Sequence, residues 1–68
     1  GARDAGTARA LVLALTDKDP TVRVACAQSL ARIGVDIDPE VRPALNALMK
    51  KESDAKVRAA VDDALAGK

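Results

Sequence analysis

DPTVR at residues 19–23, DPEVR at residues 38–42 and DAKVR at residues 54–58 are three copies of one helix-starting module. Aspartate at an N-cap accepts hydrogen bonds from backbone N–H groups that a helix leaves unpaired, and Pro20 or Pro39 at the first helical position gives up no donor the helix needs. Arg23, Arg42 and Arg58 each follow their aspartate by four residues, so the two side chains can pair along one helix surface for roughly a few tenths of a kcal/mol. Capping by Asp19, Asp38 and Asp54 is the larger contribution.

Behind each module the apolar residues recur at helical spacing. Val22, Ala25, Cys26, Ser29, Leu30 and Ile33 form one stripe, Val41, Ala44, Leu45, Leu48 and Met49 a second, and Val57, Ala60, Val61, Ala64 and Leu65 a third. Upstream, ALVLAL at residues 10–15 is built of good helix formers with apolar groups on more than one face, which predicts neighbours on both sides. Breakers at residues 17–20, 34–39 and 52–54 separate four helices near residues 7–16, 20–33, 39–51 and 55–66. Gly34 suits the left-handed position that ends a helix, and Pro43 falls within the first turn or so, where a missing N–H is tolerated. Short connections make sequential helices antiparallel, so the chain reads as a single all-α domain over residues 1–68 with hairpins at 7–34 and 39–67.

Superposing the hairpins at an offset of 35 residues matches Leu13 with Leu48, Asp19 with Asp54, Val22 and Arg23 with Val57 and Arg58, Ala25 with Ala60, and Leu30 and Ala31 with Leu65 and Ala66. Over residues 11–34 a helix ending in leucines is followed by D-x-D-P-x-V-R and then A-x-x-x-x-L-x-x-I-G, and this resembles the HEAT repeat. The second copy keeps Asp54, Val57, Arg58, Ala60 and Leu65, with Ala55 in place of the proline. The resemblance implies a short right-handed α-solenoid of stacked antiparallel helix pairs, one helix of each pair lining a concave surface that holds a protein partner. It also implies that Asp19, Arg23, Asp54 and Arg58 are structural, forming a ladder between neighbouring repeats.

Composition excludes much else. The chain has no His and no aromatic residue, so there is no imidazole base, and the usual Ser, Cys and metal-hydrolase constellations cannot be assembled. Neither cofactor nor metal is expected: Cys26 reads as a small core residue, zinc has no ligand set, and the acidic clusters Asp17 with Asp19 and Asp36 with Asp38 and Glu40 lack the glutamate that would close a calcium loop. One cysteine makes no internal disulfide, which is compatible with a reducing cytosol. Eleven basic and ten acidic residues are interleaved, and with no aromatic to stack on a base, nucleic acid is a poor candidate partner. No apolar run reaches the length of a membrane span.

The remaining reading is a non-catalytic protein-interaction or scaffolding module, a fragment of a longer repeat protein. Candidate concave-face residues are Val24, Ala27, Gln28 and Ala31 on the second helix and Ala59, Asp62 and Asp63 on the fourth. A rival reading is an autonomous self-assembling unit without an external ligand. Under either reading Ala10, Leu13 and Ala14, aligned with Leu45, Leu48 and Met49, face inward, while Leu11 and Leu15 form a flank that, in the isolated chain, a second copy covers through a two-fold contact. A core of 15 Ala with seven Leu, seven Val, two Ile and one Met is thin, which makes a free-standing monomer marginal and a homo-oligomer the expected state.

Overall fold

The structure, a computed structural model, describes residues 5–67; residues 1–4 and 68 of the expected domain lie outside the described residues. Four helices run α1 (Ala5–Ala14), α2 (Pro20–Ile33), α3 (Val41–Lys51) and α4 (Ala55–Leu65). They make two helical hairpins stacked side by side, with α2 against α4 in one layer and α1 against α3 in the other. The described residues span 31 × 22 × 16 Å, and the smallest dimension leaves room for only two layers of helices packed about 8–10 Å apart.

Capping works as the modules require at two of the three sites. Asp19 accepts from Thr21 N at 2.9 Å, and Asp54 accepts from Lys56 N at 2.8 Å and Val57 N at 3.1 Å. Such caps stabilise a helix by about 0.5–2 kcal/mol each. Gly34 closes α2 at φ +107° with its N–H on Leu30 O; that φ belongs to glycine, although the ψ of 125° takes it out of the left-handed helical basin the sequence suggested.

Asp38 behaves differently from the expected N-cap. Its carboxylate accepts from Glu40 N at 2.9 Å and its carbonyl from Val41 N at 3.1 Å, forming a separate turn, and α3 begins only at Val41. Pro43 supplies the reason. A helix starting at residue 39 would require Pro43 N to donate to the carbonyl four residues back, which proline cannot do. With the start at Val41, the bond from Ala44 N to Glu40 O, at 3.1 Å, stands in the first turn instead.

None of the three arginines bonds its own cap aspartate. Arg23 reaches across the stack to Glu52, Arg42 bonds Asp36 at 2.8 Å, and Arg58 donates to the carbonyls of Met49 and Glu52 at 3.0 and 2.9 Å. The partner in two cases is the acid two residues before a cap. Asp17, Asp36 and Glu52 hold that place in the three modules.

The core runs through both hairpins: Leu15, Leu30, Leu45, Val41, Val57 and Val61 are the largest side chains fully buried in it. Ala25, expected on the core stripe, is exposed, whereas Ala27 is completely buried. The register of α1 also differs from the 35-residue alignment. Leu13 is 77% exposed although its aligned partner Leu48 is buried, and Leu15 is 1% exposed although its aligned partner Lys50 is exposed. An offset of 34 residues removes both conflicts, pairing exposed Leu13 with exposed Ala47 and Leu15 with partly buried Met49. One residue of slip turns a helix by about 100°, enough to exchange an outer position for an inner one. The flank assigned to Leu11 and Leu15 is therefore inside the molecule: Leu15 belongs to the core and Leu11 is half-buried against it.

Candidate interaction surface

The two hairpins are joined at their edge by a polar clamp. Arg23 Nε donates to Glu52 Oε1 at 2.6 Å and Nη2 to Oε2 at 3.0 Å, while Nη1 donates to the Asp17 carbonyl at 2.8 Å. Glu52 Oε2 also accepts from Asp54 N at 3.0 Å, so one carboxylate holds both the neighbouring hairpin and the turn into α4. Only 17% of the Arg23 side chain and 3% of the Glu52 side chain reach solvent, which shields the pair from the screening that weakens surface ion pairs. The Arg23 hydrogen bonds, and then the backbone N–H of Asp54, hold the Glu52 carboxyl below its ordinary range.

A second link lies at the other end of the stack. Arg9 Nε donates to Asp38 Oδ2 at 3.0 Å, and the Asp38 carboxyl, 3% exposed, is held below its usual value first by the Glu40 N–H and then by Arg9. Every buried side-chain nitrogen and oxygen among the described residues has a hydrogen-bond partner. Through these bonds Arg23 with Glu52 and Arg9 with Asp38 each link the first hairpin to the second.

The layer of α2 and α4 is the more intimately packed of the two. Between these helices runs a shallow groove of about 570 Å³ lined by Gln28, Ala31, Arg32, Ala60 and Asp63. Alanines form its apolar part, and Gln28, Arg32 and Asp63, all exposed, supply an amide, a cation and an anion. Arg32 also donates to Ser29 Oγ at 3.1 Å.

Among the residues expected on this face, Gln28, Ala31 and Asp63 are brought together in the groove. Ala59 and Asp62 are exposed on α4 but outside its lining. Val24 is half-buried and lines a separate depression with Pro20, Thr21, Asp54 and Lys56. Ala27 has no exposed surface and is withdrawn from the candidates: its side chain is spent on the core, whereas the equivalent Asp62 is exposed. Arg32 is a groove residue outside the expected set. It follows Gln28 by four residues, a spacing that puts both side chains on one face of α2.

Cys26 is buried at 6% exposure, and burial, followed by the charge of Asp17, pushes its thiol pKa up. The described residues contain no group of three or more His, Cys, Asp or Glu placed to hold a metal ion, and none of their helices is long and apolar enough to cross a membrane. A family model described as HEAT repeats matches residues 1–66. No curated protein and no solved structure matches the chain.

Proposed function

Because the chain belongs to the HEAT-repeat family, whose members generally mediate protein–protein interaction or scaffolding, we propose that it is a non-catalytic module that holds a protein partner on the α2/α4 layer. The observation that carries this reading is the groove where Gln28, Ala31, Arg32 and Asp63 meet on one side of two closely packed helices. Three kinds of polar group around a small apolar floor suit a peptide or a helix edge, which offers backbone amides and side chains of either charge. The clamp at the edge of the stack supports the reading by tying the start of α2 to the turn into α4, so the surface is arranged before a partner arrives.

Gln28→Arg combined with Asp63→Arg tests the proposal. Both side chains are exposed, so helix content and thermal midpoint should stay near those of the unaltered protein. Proteins recovered with the unaltered chain should be lost from the double variant, with affinity down by about tenfold or more, and kept by Asn46→Arg on the exposed part of α3. Equal recovery by all three would contradict the assignment of this layer.

A further inference from the structure

We draw no further inference here: the strongest candidate, the shallow depression between α1 and α3 where Val12, Leu13, Ala44 and Leu48 lie beside Lys51, is an unpartnered apolar face, and nothing in the structure shows what covers it.

Discussion

Leu15→Lys is expected to abolish cooperative folding, leaving a chain whose helical signal melts gradually from low temperature. Leu15 is 1% exposed and sits in the core that joins the hairpins. Truncating such a leucine to alanine already costs about 2–5 kcal/mol, and lysine adds a charge with no partner. A domain of this size has only about 3–10 kcal/mol to lose. The contrast with Leu13→Lys is diagnostic, since the side chain two residues earlier points away from the core and its replacement should leave the melting of the single chain nearly unchanged. Circular dichroism on both variants reads the result. If Leu15→Lys melted like the unaltered protein while Leu13→Lys collapsed, α1 would be turned to the register of the 35-residue alignment.

Glu52→Ala should lower the thermal midpoint by on the order of 10 °C, the largest loss expected from any charged side chain in the molecule. The substitution removes both bonds to Arg23 and the cap on Asp54 N, and it leaves the Arg23 guanidinium, 17% of whose side chain is exposed, with its bond to the Asp17 carbonyl but no carboxylate bonded to it. Acid should reproduce part of the loss. The Glu52 carboxyl is held below its ordinary value of 4.5 in the folded chain, so the unfolded chain takes up the proton first. Its contribution is complete above about 4.5 and is lost as pH falls through the lower, folded value. Asp36 and Asp38 are depressed in the same direction, so Glu52→Ala should flatten the acid limb of a midpoint-against-pH curve without removing it. A variant whose acid limb is as steep as that of the unaltered protein would show that the clamp does not couple folding to pH.

The four helices, two of the three caps and the family were legible because each rests on local chemistry: aspartate before a free N–H, proline in a first turn, apolar residues three and four apart. What failed was whatever depended on one residue of register or on a partner far along the chain. The run at residues 10–15 has apolar groups on several faces, so it does not choose its own inward side, and aligning it by the neighbouring DxxVR module imported an offset that the loop before α2 does not keep. Local spacing sets Arg23 beside Asp19, while the family resemblance implies a link between neighbouring repeats without pointing to Glu52. The true partner of Arg23, 29 residues away, could have been suspected from the acid that stands two residues before each of Asp19, Asp38 and Asp54. Ala27 looked like surface because alanine is at home on either side of a helix. Helical spacing places Gln28 and Ala31 on one side of α2 and Asp63 on the facing side of α4, and Arg32, four residues after Gln28, follows from the same spacing.

The central claim, that partners are held on the α2/α4 layer, is tested most directly by a photo-reactive side chain placed singly at Gln28, at Asp63, at Asn46 and at Arg42, each exposed. Illumination in the presence of a bound partner should give covalent adducts from the first two positions and none from the two on α3. Adducts confined to Asn46 and Arg42 would move the binding surface to the opposite layer and contradict the account.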